Sequence, residues 1–325
     1  MTDVVRGELA LDRPAPAEAA RVEWPSVSVV LPTYQRPQLV RAAVDSVLQQ
    51  DYPGAVEVLV VFDHTPPDMT LEQLSSGHRV RVLTNARKRG LAGNRNTGIL
   101  AAESDLIAFL DDDDTWLPSK LTRQVSALLG DPQAQFATTA MLVDYEGGLH
   151  ERRAGAVRVQ HRDLLRSRMA MLYSSSFLVW RKALVDDIGL VDESLPRSMA
   201  EDWELLLRAS RNGAIVHVDE PLVRVTWGAT SFFSGQWATR NAAQYWLLEN
   251  YVEIAEDPIA AGRAYANLAF GYAAQGEDRA AASWARRAFR ANWREPRTYL
   301  AVLVMARMVK WQWLVRQLNA RGRGL

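Results

Sequence analysis

From Val27 onward, short runs of β-branched residues alternate with longer stretches whose apolar side chains recur every three to four positions. No other feature constrains the chain as much. Strands separated by helical crossovers form βαβ units, and such units assemble a mostly parallel central sheet flanked by helices, an α/β fold. Val27 to Leu31 is expected to be a buried strand, followed by a helix over Gln38 to Gln50 with Leu39, Val40, Ala43, Val44, Val47 and Leu48 on one face. Further strands are expected at Val56–Phe62, Val80–Leu83 and Leu106–Leu110, whose carboxyl ends, with that of the first, carry Asp63, Asn85, Asp111 and Thr33. Ligands of open α/β sheets bind at that edge, so these residues are expected to line one crevice. A less regular part follows, with strands near Phe136–Val143, Ser176–Trp180, Ile215–Val218 and Leu222–Trp227 and a helix over Asp202–Arg211.

Four consecutive aspartates, Asp111 to Asp114, close the apolar run Leu106–Leu110. Their mutual repulsion is relieved by water, by cationic side chains or by a bound divalent metal. Hard oxygen ligands suit Mg²⁺ or Mn²⁺, which keep several waters and bridge to substrate phosphates, and this points to a nucleotide diphosphate as substrate. Strand alternation sends neighbouring side chains to opposite faces, so the four cannot all address one ion. The alternative is a solvated acidic turn capping a helix that starts near Pro118, with Asp114 or Thr115 as N-cap.

Composition narrows the classes. A length of 325 residues with 48% hydrophobic content supports one large or two modest domains with a full core. Net charge is zero, which gives no reason to expect a nucleic-acid partner. Cysteine is absent, so disulfide scaffolds, thiolate metal sites and cysteine nucleophiles are excluded, and the chain fits a reducing, cytoplasmic setting. Residues 1–24, with Asp3, Glu8, Asp12 and Pro14-Ala15-Pro16, have no apolar core of a signal peptide and are expected to be a flexible leader. No run of 18 apolar residues occurs to span a membrane.

The order of motifs resembles the family 2 glycosyltransferases, which have the GT-A fold. The matching pieces are SVVLPTYQRPQLVRAAVDSVLQQDYP, VEVLVVFD, GLAGNRNTGIL, LIAFLDDDDTWLPSKL and AEDWELLLRA, together spanning about 190 residues. The resemblance implies a metal-dependent, inverting transfer of sugar from a nucleotide-diphosphate donor, most readily UDP-linked, to a hydroxyl of a glycan, a lipid-linked or a small-molecule acceptor. It places Pro32, Thr33 and Tyr34 against the nucleotide base, with Asp63 accepting from a base N–H. Phe62, His64 and Thr65 depart from the acid and Gly-Ser that most members carry around this aspartate, which leaves base selectivity open. Gly90 and Gly93 would let backbone approach the nucleotide, while Arg95 would sit by the diphosphate or brace the acid cluster, unless it is an ordinary helix-face arginine. In the D-x-D-D pattern Asp113 would ligate Mg²⁺ or Mn²⁺, with Asp111 as the second principal acid; Asp111 or Asp112 would hold ribose or a metal-bound water. Trp116 and Leu117 are expected to pack beneath the turn. Asp202 matches the position of the catalytic base, Glu201 would bind acceptor hydroxyls, and Trp203 either stacks on a sugar or is a core tryptophan. Asp202 is also a good helix N-cap. Trp227-Gly228-Ala229-Thr230 stands where relatives often carry a histidine, so metal coordination by protein is expected to be sparse. A nucleotidyltransferase would want a Gly-rich triphosphate loop, which Pro32-Thr33-Tyr34-Gln35-Arg36 is not. A non-catalytic scaffold is opposed by the joint presence of Asp63, Asp113 and Asp202.

Beyond Gly235 the composition turns to helix formers, and a boundary is placed near Ser231, giving a GT-A domain over 25–231 and a helical extension over 232–325. Ala264 to Pro296 reads as a helical hairpin with Ala282, Ala285 and Phe289 on its second inner face. The final segment is basic, with Arg286, Arg287, Arg290, Arg294, Arg297, Arg307, Lys310, Arg316, Arg321 and Arg323 against Glu295, interleaved with Trp293, Tyr299, Trp311 and Trp313. Such a pattern suits peripheral contact with an anionic membrane face; docking on the core and RNA binding are the rivals.

Overall fold

The computed structural model describes residues 23–75, 78–167, 169, 172–227 and 235–321. The leader, the Gly228–Thr230 region, the Ser231 boundary and Arg323 lie outside the described residues, apart from Glu23 and Trp24. Eleven strands form one sheet: β1 Val27–Thr33, β2 Val56–Phe62, β3 Gln73–Ser75, β4 His78–Thr84, β5 Leu106–Phe109, β6 Asp114–Trp116, β7 Phe136–Tyr145, β8 Gly148–Arg152, β9 Arg158–Val159, β10 Leu178–Trp180 and β11 Ile215–Trp227. The order is β3-β4-β2-β1-β5-β10-β7-β11-β6, with β8 on β7 and β9 on β11. Strands β4, β2, β1 and β5 are mutually parallel; beyond β5 the sheet is mixed. This is a mixed α/β fold whose parallel part is its first half.

Alternation along the strands assigns the helices to two layers. Val27, Val29 and Leu31 of β1, with Leu106, Ala108 and Leu110, pack against α1 (Pro37–Leu48) and α3 (Lys120–Leu129). Val30, Ile107 and Phe109 face the other way, onto α2 (Leu91–Ala101) and α5 (Glu201–Arg211), with α4 (His161–Arg166) joining that layer. Every residue of β1 is buried, as expected of a parallel strand covered on both faces.

The extension comprises α6 Trp237–Asn250, α7 Val252–Glu256, α8 Pro258–Gln275, α9 Asp278–Ala291, α10 Pro296–Met305 and α11 Trp311–Asn319. Ala243, Leu247, Tyr251, Ile254, Ala260 and Ala264 join the core beneath α5, whereas Trp237, Phe270, Ala285, Val304 and Leu314 form a separate small core. The α8–α9 hairpin is present, but Ala281, Ala285 and Ala288 face inward and leave Phe289 53% exposed. Small residues let α8 and α9 approach closely, so the large ring turns out.

Candidate active site

The β1 carboxyl end, the acid tetrad and the start of α5 meet through cationic side chains. Asp111 projects toward the α2 and α5 layer, where Arg95 donates to its Oδ1 at 2.5 Å and Ser174 to its Oδ2 at 2.9 Å. The same Arg95 guanidinium, 1% exposed, donates through Nη1 to Glu201. Asp112 points to the other side: Thr33 Oγ1 donates to its Oδ2 at 2.8 Å and Arg36 Nη1 to its Oδ1 at 2.9 Å. Arg36 also reaches Asp113 at 2.8 Å. Asp114 begins β6, pairs with Val225 of β11 and accepts from Ser175 Oγ at 2.6 Å. The four carboxylates therefore divide, as alternation requires. Asp114 is a sheet residue, not a helix cap; α3 starts later, behind Ser119, and Gln50 fixes the intervening turn by donating to the Leu117 carbonyl and accepting from Leu121 N–H.

Crowding of like charges in a dry setting shapes the acids. Burial pushes Asp112 up to about 6 against the opposing pull of Thr33 and Arg36. Burial, then the neighbouring Asp111, raises Asp113; burial, then Asp113 and Asp111, holds Asp114 well above the carboxylate range. Asp113 keeps the most open side chain, 31% exposed against 12% for Asp111 and 8% for Asp112. It is the tetrad member best placed to meet a ligand. Trp116 packs beneath the turn with its Nε1 donating to Ser175 O, but Leu117 is 37% exposed and does not.

Asp63, at the end of β2, is buried and accepts from Asn85 at 2.8 Å and from the Gly90 backbone N–H at 3.1 and 3.2 Å. Its partners in this state are protein groups, so a base N–H would have to join or displace them. Gly93 serves the chain itself: a Cβ there would lie 1.9 Å from the Lys88 carbonyl. Gly90, at φ +120°, sits in backbone that side chains rarely adopt and delivers the N–H that Asp63 receives. Tyr34 is 39% exposed beside the cleft, its hydroxyl accepting from Arg89 at 3.0 Å. Asn96 clamps Val191 through both its amide oxygen and its nitrogen, a structural role.

The helix α5 opens at Glu201, one residue earlier than expected, with Ala200 as its N-cap at φ 67°. Asp202 therefore stands inside the first turn and is not the cap. Its Oδ1 accepts from Trp203 N–H at 2.7 Å. Glu201 is 5% exposed and bound to Arg95, and burial pushes it up to about 7 although Arg95 opposes. That placement makes Glu201 a brace between helix and tetrad, not an open ligand for acceptor hydroxyls. Trp203 is 8% exposed within the core, its Nε1 donating to Leu164 O at 3.0 Å, which leaves no open ring face for a sugar. Gln35, His64 and Ala200, all non-glycine residues at positive φ, each adjoin a candidate site residue: Tyr34, Asp63 and Glu201. Strain of about 1–3 kcal/mol per such residue is characteristic of functional sites. Sequence reasoning overlooked Arg36, Ser174, Ser175 and Tyr173; the last is half-buried near Asp111, Asp114, Asp113 and Asp202, and desolvation followed by those charges raises its hydroxyl well above the usual range. His217 is 2% exposed, hydrogen-bonded to Thr138 at 2.9 Å, and is no substitute metal ligand.

The model of glycosyl transferase family 2 matches residues 28–188, which contain β1 from Ser28 onward, the tetrad and the Ser174–Ser176 turn. Residues 28–188 belong to glycosyl transferase family 2. It is similar to WfgD of Escherichia coli, a UDP-Glc:alpha-D-GlcNAc-diphosphoundecaprenol beta-1,3-glucosyltransferase, at 38% identity over 104 residues, 32% of this chain and 41% of that one. It also resembles the GalNAc(5)-diNAcBac-PP-undecaprenol beta-1,3-glucosyltransferase of Campylobacter jejuni, at 28% identity over 174 residues, 50% of this chain and 54% of that one. The chain thus spans about two fifths to one half of the length of these relatives. Among solved structures, TarS of S. aureus in complex with UDP aligns with a TM-score of 0.60 and 21% identity, covering 86% of this chain and 88% of that one, a likeness of GT-A fold.

Proposed function

We propose that this chain is an inverting glycosyltransferase that moves a sugar from a UDP-linked donor to a hydroxyl of a lipid-linked glycan. The observation that supports this reading is the Arg95 bridge, which joins Asp111 of the acid tetrad to Glu201, the residue before Asp202 in the first turn of α5. The names of the Escherichia coli and Campylobacter jejuni relatives, both glucosyltransferases acting on undecaprenol-linked sugars, support the acceptor class. UDP as the nucleotide is supported by the WfgD name.

In this reading the acceptor oxygen bonds to the anomeric carbon while the bond from that carbon to the diphosphate breaks on the opposite face, and Asp202 takes the hydroxyl proton. The electron pair leaves with the nucleotide diphosphate. Asp113, with Asp111 behind it, would hold a divalent cation together with the diphosphate, and the ion would offset the leaving group's charge. The donor set fits: hard oxygen, mutually repelling, and partly open at Asp113. Among the described residues no three acidic or imidazole groups converge to cage an ion, so the protein's share would be one or two carboxylates. Arg36, already on Asp112 and Asp113, is placed to swing toward a phosphate when the acids take a cation.

The test is release of free nucleotide diphosphate across a panel of nucleotide sugars, each with and without a lipid-linked sugar acceptor and with and without chelator. Acceptor-dependent release from a UDP-sugar, lost on chelation, is expected. Release indifferent to acceptor and chelator would sink the reading.

A further inference from the structure

We infer that α9, α10 and the turn between them form a docking face for an anionic lipid surface. The protein's net charge is zero, yet residues 279–321 carry ten cationic side chains and one acid, Glu295, which is buried against Arg297. Charge has been segregated onto one end of the molecule. Among the described residues no acid pairs with Arg286, Arg287, Arg290 or Arg294, and all four are exposed. Arg287 lies over the Trp284 ring at 4.5 Å and Arg294 over Trp293 at 4.9 Å, arrangements that leave the guanidinium outward above an apolar ring.

Large apolar groups stand out among these cations. Phe289 is 53% exposed, Trp293 58%, Tyr299 46% and Val302 42%. Helical spacing puts Arg286, Phe289 and Arg290 on one face of α9, and the Tyr299 hydroxyl donates to the Trp293 carbonyl at 2.6 Å, which joins α10 to that face. Aromatic rings that bury to headgroup depth between arginines are the composition of a membrane-surface helix. A soluble partner of acidic surface would satisfy the arginines, but not four exposed apolar side chains on the same patch.

The proposed acceptor class gives such a face its use; binding itself does not depend on that reading.

The experiment is co-sedimentation of the full chain with vesicles of phosphatidylcholine alone or with phosphatidylglycerol, at low and high salt. Each cationic group near such a surface contributes about fivefold, so Arg286→Gln, Arg290→Gln and Arg294→Gln together should weaken partitioning roughly a hundredfold. Trp293→Ala should weaken it further, and high salt should abolish most of it. These side chains are exposed, so an unchanged melting temperature certifies that the variants fold. Removing α9 to α11 is a poor test, because Ala285, Val304 and Leu314 share a core with Phe270 of α8. No association with anionic vesicles at low salt, equal association of the triple variant, or preference for a single-stranded RNA over the vesicles would each overturn the inference. Vesicle binding without any sugar transfer would leave the docking face standing and remove the proposed reaction.

Discussion

Replacing Arg95 by methionine removes one buried cation and strands two carboxylates, Asp111 and Glu201. Breaking a buried ion pair from one side costs about 3–5 kcal/mol, because the partner is left as an uncompensated charge. Here both partners sit in dry surroundings, 12% and 7% exposed at the side chain, so the upper part of that range applies. The loss should depend on pH in a definite direction. Glu201 already titrates at about 7 instead of its ordinary 4.5, with burial the main cause and Arg95 opposing. Without Arg95 its folded value rises further, so between the two values the folded state holds a proton that the unfolded chain has released. Stability then falls as pH climbs through that window. Calorimetry in chelator should record the full loss near pH 8.5 and a smaller one near pH 5.5, the difference being about 1.4 kcal/mol for each unit by which the Glu201 value rises. The double variant Arg95→Met with Glu201→Leu should recover part of the deficit at the higher pH. An equal loss at both pH values, or a loss under about 1 kcal/mol, would mean the carboxylates are solvated and the bridge between tetrad and α5 is not the brace described.

Asp202→Asn should lower turnover about a hundredfold or more, the usual consequence of losing a general base, and leave donor affinity intact; proportional loss of both would move Asp202 to the donor site. Asp113→Ala should abolish cation-dependent UDP binding in titration calorimetry, whereas equal affinity with and without chelator in the parent chain would contradict a metal role. Lys120, 0% exposed, lies 3.6 Å from the Trp116 ring centre with no hydrogen-bond partner for its amine, and burial holds it well below the usual lysine range. Lys120→Met should therefore raise stability, by about 1 kcal/mol or more at neutral pH and by more in acid, where the folded protein must otherwise charge the buried amine. A loss of stability at pH 6 in urea melts would show that the contact with Trp116 outweighs that cost.

The strands were legible because their signal is local. Val56–Phe62 is a valine-rich apolar run interrupted only by Glu57, and the structure keeps those bounds; His78–Thr84 extends the expected core by polar flanks that pair in register with β2. The helix of the Asp202 segment was legible from its leucines, though its start was not, since Ala200 adopts a left-handed backbone that no residue pattern announces. What sequence could not supply was contact at a distance. Arg36 and Asp112 are 76 residues apart, and Arg95 and Glu201 are 106 apart; each pairing exists only because two strand ends and a helix start converge. Phe289 failed for a different reason. A helix with alanines on several faces offers two plausible inner stripes, and close approach to α8 selects the one without the ring.

The change of composition after Gly235 invites a reading of two independent units, and the packing argues for dependence instead. Glu204, one turn into α5 and 1% exposed, receives Arg208 at 2.6 Å and the hydroxyl of Tyr251, which joins α6 to α7. Arg208 in turn donates to the carbonyls of Ile188, Gly189 and Leu190, so one network fixes α5 against both the sheet layer and the extension. Leu247, Ile254 and Ala264 then seal the core on which α5 rests. Because Asp202 lies in the first turn of that same helix, the extension helps set where the proposed base stands. Tyr251→Phe tests this: it removes one hydrogen bond to a buried carboxylate, worth about 1.5–3 kcal/mol, at a site remote in sequence from the tetrad. Turnover should fall together with the melting temperature while UDP affinity stays unchanged, since Thr33, Asp63 and Asp113 stand on other elements. Full activity at an undiminished melting temperature would show that α5 is held by the Arg95 bridge alone.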